Sequence, residues 1–197
     1  MPYVTADSEA SGFPALYRYE VGNLSTPGAL DSWRTIGASS NTFSYQSAAT
    51  MDSAHGFYIK TASNAAGADF ALWNVDAALA NGVWATDMAI YLQLADGTPV
   101  EVTRDFGIDY DSQTGHLLLW DGKSAGSVWS TQAEFDAAGA IKSVWTATKL
   151  SSTTLDQPAG NFVTGVLGKW KYVEALGAFV CARRVQCINV GRSRLDV

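Results

Sequence analysis

Met51-Asp52-Ser53-Ala54-His55-Gly56-Phe57-Tyr58-Ile59, Tyr110-Asp111-Ser112-Gln113-Thr114-Gly115-His116-Leu117-Leu118 and Tyr172-Val173-Glu174-Ala175-Leu176-Gly177-Ala178-Phe179-Val180 superimpose without gaps, and their glycines stand 59 and 62 residues apart. Each stretch reads as a strand, a short turn ending in Gly, and an apolar strand, because Gly supplies the positive φ that a tight hairpin needs. Self-similarity at such an interval marks a repeat architecture. We label these two strands A and B.

A different pair, C and D, also recurs three times. It runs Leu16-Tyr17-Arg18-Tyr19 then Ser32-Trp33-Arg34-Thr35-Ile36, next Ala71-Leu72-Trp73-Asn74-Val75 then Val83-Trp84, and finally Ser127-Val128-Trp129-Ser130 then Ser143-Val144-Trp145-Thr146-Ala147. The linkers Asn23 to Leu30, Ala77 to Gly82 and Ala137 to Ala140 are loop-like, with an Ala-rich turn of helix as the alternative. Aromatic and β-branched residues at short period, with no sustained i, i+3, i+4, i+7 stripe, predict an all-β chain without a helix beyond about three turns. In order, the chain reads C-D, A-B-C-D, A-B-C-D, A-B. That is twelve strands, or three units of a four-stranded repeat.

The Tyr110-Asp111-x-x-x-Gly115 turn, the Leu117-Leu118-Leu119-Trp120-Asp121-Gly122 strand and the Val128-Trp129 strand resemble blades of kelch-like, galactose-oxidase-type β-propellers. The resemblance implies four-stranded antiparallel blades over residues 16–186, preceded by an extension at 1–15 and followed by an irregular basic tail at 187–197. It implies nothing about activity, because propellers host unrelated functions. One departure stands out: after the third A-B pair, Ile188-Asn189-Val190 runs into Gly191-Arg192-Ser193-Arg194 where a Val-Trp or Val-Tyr strand would follow.

Propellers close with ~4–8 blades, so three cannot surround a channel. Two copies head to tail give a six-bladed homodimer in which the orphan A-B pair of each copy is completed by the orphan C-D pair of the other. Charge is consistent with this pairing: residues from Lys169 onward sum to +4, leaving −10 for residues 1–168. The alternative reading is a fragment whose remaining blades are missing.

Hydrophobic residues make up 47% of the chain, with 7 Trp, 8 Tyr and 8 Phe, which excludes a disordered tract. Acids outnumber bases 19 to 13, against a nucleic-acid footprint. No run of eighteen apolar residues exists, and Asp7, Glu9, Arg18 and Glu20 interrupt the start where a signal peptide would be apolar. The reading is therefore a soluble domain of undetermined compartment, with neither membrane nor nucleic acid as partner. Cys181 and Cys187 lack a CxxC spacing and read as buried free thiols.

Strict alternation in Arg104 to Asp111 puts Asp105, Asp109 and Asp111 on one face. Repeat alignment adds Gln46, Thr50 and Asp52 from the first A strand, and Lys169 and Lys171 from the third as counter-charges or ligand contacts. Grouped carboxylates suit a hard cation such as calcium. His55 and His116, beside the turn glycines, add zinc or manganese to the candidates, with Asp52 and Asp111 near them in sequence. The competing readings are turn hydrogen bonds for Asp52 and Asp111, and exposed rim positions for the two histidines. Trp33, Trp84 and Trp145, and likewise Trp73 and Trp129, hold matching repeat positions and read as core. Trp120 and Trp170 read as core too, or as the wall of a ligand mouth. No serine-nucleophile elbow, His-Glu-x-x-His or phosphate loop is present. Two functions follow: a self-assembling binding module with an acidic, cation-binding channel mouth, or a metal-dependent hydrolase of phosphoesters, esters or lactones using Asp105 and Asp109.

Overall fold

The computed structural model describes residues 3–7, 14–20, 22, 31–38, 47–61, 68–103, 106–121, 127–150, 168 and 170–181. Three of these segments are the hairpins read from the repeated glycines. β4 (Ala49–Asp52) turns into β5 (Phe57–Thr61), β8 (Gly107–Asp111) into β9 (His116–Trp120), and β12 (Trp170–Val173) into β13 (Ala178–Cys181). Gly56, Gly115 and Gly177 have φ of 69°, 74° and 55°, the left-handed region that a residue with a Cβ enters only at a cost.

The C and D strands follow. β6 (Phe70–Asn74) and β7 (Ala85–Gln93) extend the first hairpin into an antiparallel meander β4-β5-β6-β7; β10 (Val128–Thr131) and β11 (Val144–Leu150) do the same for β8-β9. β2 (Pro14–Glu20) pairs with β3 (Ser32–Ala38) ahead of them, and β12-β13 forms a separate two-stranded sheet behind. The fold is all-β. Its one α-helix among the described residues, α1 (Val75–Asn81), has seven residues, and no described helix is long and apolar enough to cross a membrane.

Three features differ from the sequence reading. First, Tyr3–Asp7 within the expected extension is a strand, β1, lying antiparallel on β2 from Tyr3↔Arg18 to Asp7↔Pro14. The β2 edge that was expected to be free therefore carries a partner. Second, short parallel pairings, Gly37↔Ala85 and Ala38↔Thr86 and then Val144↔Tyr91 to Thr146↔Gln93, link β3, β7 and β11, so that eleven strands share one hydrogen-bonded sheet. Third, Val83-Trp84 precedes the strand it was expected to start. α1 is capped by the Asn74 side chain and ends at left-handed Gly82, and the Val83 amide donates back to Ala78 at 3.0 Å, so the ladder begins only at Ala85.

Each meander buries apolar side chains on both faces. Phe57, Ile59, Phe70, Leu72, Ile90 and Leu92 of the first pack against Ile108, Leu117, Leu119, Trp145 and Ala147 of the second. The other face of the first meander, with Tyr58, Ala71 and Trp73, meets Leu16 and Ile36 of β2-β3. The other face of the second, with Leu118 and Trp120, meets Trp170 and Phe179 of β12-β13. Sheet-on-sheet burial of this kind supplies most of the folding free energy. Trp73, Trp120, Trp145 and Trp170 are buried as core, but Trp33 and Trp84 are 57% and 64% exposed, against the core role expected for them. Trp84 stands between a helix cap and a strand. Trp33 lies on a face where its ring contact among the described residues is Tyr19.

Candidate functional site

β4, β8 and β12, the first strands of the three hairpins, lie side by side without a ladder between them, so side chains make the links. Thr50, Asp109 and Lys171 occupy the same repeat position, one residue before Met51, Tyr110 and Tyr172. In space they meet. Thr50 Oγ1 donates to Asp109 Oδ1 at 2.5 Å, Lys171 Nζ approaches the same oxygen at 3.4 Å, and the Tyr172 amide donates to Oδ2 at 2.8 Å. Lys171 also reaches the Ala49 carbonyl at 3.5 Å. Both oxygens of Asp109 are therefore engaged, and a cation could use them only in competition with Lys171.

One residue further on, the next pair of positions forms a second link. The Tyr110 hydroxyl hydrogen-bonds Asp52, and the Tyr172 hydroxyl hydrogen-bonds Asp111. Burial, followed by the charge and hydrogen bond of Asp52, raises the Tyr110 phenol above its ordinary value. Tyr172 is pushed up to about 12, by burial first and then by its bond to Asp111 and the charges of Asp111 and Glu174. Both tyrosines thus remain neutral donors.

Asp52 and Asp111 also close their own turns. Asp52 is 1% exposed and accepts from the amides of Ala54 (3.1 Å) and His55 (3.2 Å). Asp111 accepts from the amides of Gln113 (2.9 Å) and Thr114 (3.3 Å) and from Thr114 Oγ1 (2.8 Å). This is the turn chemistry weighed from sequence, since an Asp side chain satisfies the amides two and three residues on.

The two histidines have separate partners. His55 Nδ1 lies 2.7 Å from Asp52 Oδ2, with its ring against Phe57 and Phe135. His116 Nδ1 lies 2.7 Å from Ser130 Oγ. Among the described residues no group of three His, Cys, Asp or Glu is disposed to hold a metal ion. Asp105, Gln46 and Lys169 lie outside the described residues.

Sequence reasoning missed the tyrosines. The signal was present in the recurrence of Tyr110 and Tyr172 at one repeat position, each beside a carboxylate of the preceding hairpin. It also missed Asp69, buried ahead of β6, whose carboxylate accepts from the Leu92 amide at 2.6 Å and the Val102 amide at 2.8 Å. Desolvation raises its pKa despite both bonds. Asp69 pins residues 92–102 to the first meander and is remote in sequence from the hairpin turns.

In comparisons with known proteins, the chain matches no family model, no curated protein and no solved structure.

Proposed function

We propose that the chain is a β-propeller-type binding module, in which the meanders are blades and β4, β8 and β12 line a polar channel mouth. The observation that carries this is the meeting of Thr50, Asp109 and Lys171. Strands of successive repeats that converge through equivalent positions are what radial repetition produces, and a stack of unrelated sheets has no reason to do so. The same reading makes the half-repeats β2-β3 and β12-β13 complementary, so that two copies close one ring.

The mouth offers a small polar ligand or a divalent cation one carboxylate, one hydroxyl and one amine. With a single counter-charged carboxylate, cation affinity is weak, with a Kd on the order of 10⁻³ M. Titration calorimetry with calcium, zinc and manganese tests this on the intact chain. Lys171→Met should bind the preferred ion more tightly than the parent, and Asp109→Asn should not bind it. No heat with any variant would remove the cation from the proposal. Chelator-sensitive turnover of phosphoester or ester substrates would replace the binding module with the hydrolase.

A further inference from the structure

Among the described residues, the core between the two meanders and the core beyond the second meander are unequally complete. Between the meanders, the fourth strand of the second sheet closes the core: Trp145 and Ala147 of β11 are buried there, with Trp145 against Phe70 at 6.2 Å between ring centroids. Beyond the second meander, β12-β13 supplies Trp170 and Phe179 but no third or fourth strand among the described residues. Val128 and Leu150 stay only partly buried there. Among the described residues Trp170 Nε1 is buried without a hydrogen-bond partner, whereas Trp73 Nε1 donates to the Ala38 carbonyl at 3.1 Å and Trp145 Nε1 to the Lys142 carbonyl at 2.8 Å. A buried donor left open is costly and invites an acceptor.

At the other end of the array the opposite situation holds. Leu16 faces the first meander, and the register Tyr17↔Thr35 and Tyr19↔Trp33 puts Tyr17, Tyr19 and Trp33 on the face turned away from it. Trp33 corresponds by repeat to Trp145, yet is more than half exposed. The edge of β2 that a B strand would occupy holds β1, in the antiparallel sense that β5 shows toward β6 and β9 toward β10.

We infer that β1 is a removable edge guard, and that a second copy's β13 takes its place on β2. This rests on the propeller reading above. The exchange lays Tyr17, Tyr19 and Trp33 over the Val128–Leu150 face of the second copy beside its Trp170, as Trp145 lies in the complete core. Aromatic burial drives it. Within the β2-β3 region Glu20 pairs with Arg18 and Arg34, and Asp31 with Tyr19. At the new junction the repeat position of the Tyr–Asp link is held by Met51 and Val173, both half-buried and apolar, so no charge is stranded there.

The test is the mass in solution of intact chains by light scattering. Ala6→Cys/Ala15→Cys, a directly paired position of β1 and β2, locks the guard when oxidised and frees it when reduced. The oxidised chain should stay at 21.0 kDa and the reduced chain should reach twice that with rising concentration. Thr5→Pro should dimerise more tightly than the parent, since Pro removes a strand donor. Adding Trp33→Ala should weaken that dimer by at least about tenfold, as expected for a central aromatic anchor. Equal masses for the oxidised and reduced chains, or a dimer indifferent to Trp33, would overturn the inference, and so would open-ended polymers. Where Thr5→Pro fails to fold, the cysteine pair decides alone. The propeller reading fails separately, through absent coupling between Thr50 and Asp109, which is measurable in a monomer.

Discussion

Replacing Asp109 by Ala tests whether the residue is a structural tie or a vacant ligand. Its side chain is 13% exposed and takes a 2.5 Å bond from Thr50, a 2.8 Å bond from the Tyr172 amide and a 3.4 Å approach from Lys171. A hydrogen bond to a charged group contributes about 1.5–3 kcal/mol, and a half-exposed lysine pair about 0–1. Two such bonds, taken at the low end because water reaches the site, give about 3–4 kcal/mol. In a chain of 197 residues that lowers Tm by roughly 6–16 °C. Asn should be milder, about 1 kcal/mol, because its oxygen can still accept from Tyr172 while its amide donates to the Thr50 hydroxyl. Thermal and urea unfolding of Asp109→Ala, Thr50→Val and the double variant give the coupling directly, expected at about 1 kcal/mol or more. A free carboxylate ligand predicts the reverse, with Ala neutral or stabilising. An Asp109→Ala change within about 0.5 kcal/mol of the parent would refute the tie.

Gly115→Ala and Gly56→Ala separate backbone strain from crowding. Both sites have left-handed φ, but a Cβ at 115 meets only Tyr110 Oη at 3.9 Å, while one at 56 falls 2.2 Å from Asp76 Cγ, so chemical denaturation should show about 1–2 kcal/mol lost at 115 and clearly more at 56. Asp69 has a raised pKa, so the folded chain holds its proton more tightly than the unfolded one, and its contribution falls as pH rises from the ordinary carboxylate value through the raised one. The stability lost in Asp69→Asn, read from urea midpoints between about pH 4 and 7, should therefore shrink as pH rises. A loss that grows with pH would mean that the Leu92 and Val102 bonds outweigh desolvation.

The strand skeleton was legible because backbone geometry leaves few choices at a tight turn. Gly56, Gly115 and Gly177 mark three hairpins, and the aromatic pairs between them mark the remaining strands. β1 was not legible: Tyr3–Asp7 is five residues long and belongs to no repeat, so only its pairing with β2 identifies it. The face each tryptophan takes was not legible either. Trp33, Trp84 and Trp145 share a position relative to a strand start, but a single residue inserted by a helix cap or a register shift moves a side chain to the opposite face. The Gly82 cap is such an event and lies beside exposed Trp84, whereas Trp33 is exposed because no described sheet covers the face of β3 turned away from the first meander.

The candidate site was legible in its members and not in their roles. Asp52, Asp109, Asp111 and Lys171 were singled out as charges sharing a face, a pattern that fits ligation and self-pairing equally well. What separates these outcomes is the distance between repeats, which no single repeat encodes. Once β4, β8 and β12 lie side by side, each hairpin binds its neighbour through residues already present for its own turn. Asp52 and Asp111 cap their turns with one set of lone pairs and accept a tyrosine hydroxyl with another. Each link is directional, because the later repeat supplies the phenol and the earlier one the carboxylate. Loss of the carboxylate leaves the phenol without its acceptor, whereas loss of the phenol leaves the carboxylate its turn amides. Met51 and Val173 hold the tyrosine and carboxylate positions at the two ends of the described series. The two Tyr–Asp links thus join β4 to β8 and β8 to β12, each carboxylate closing its own turn and accepting its neighbour's hydroxyl.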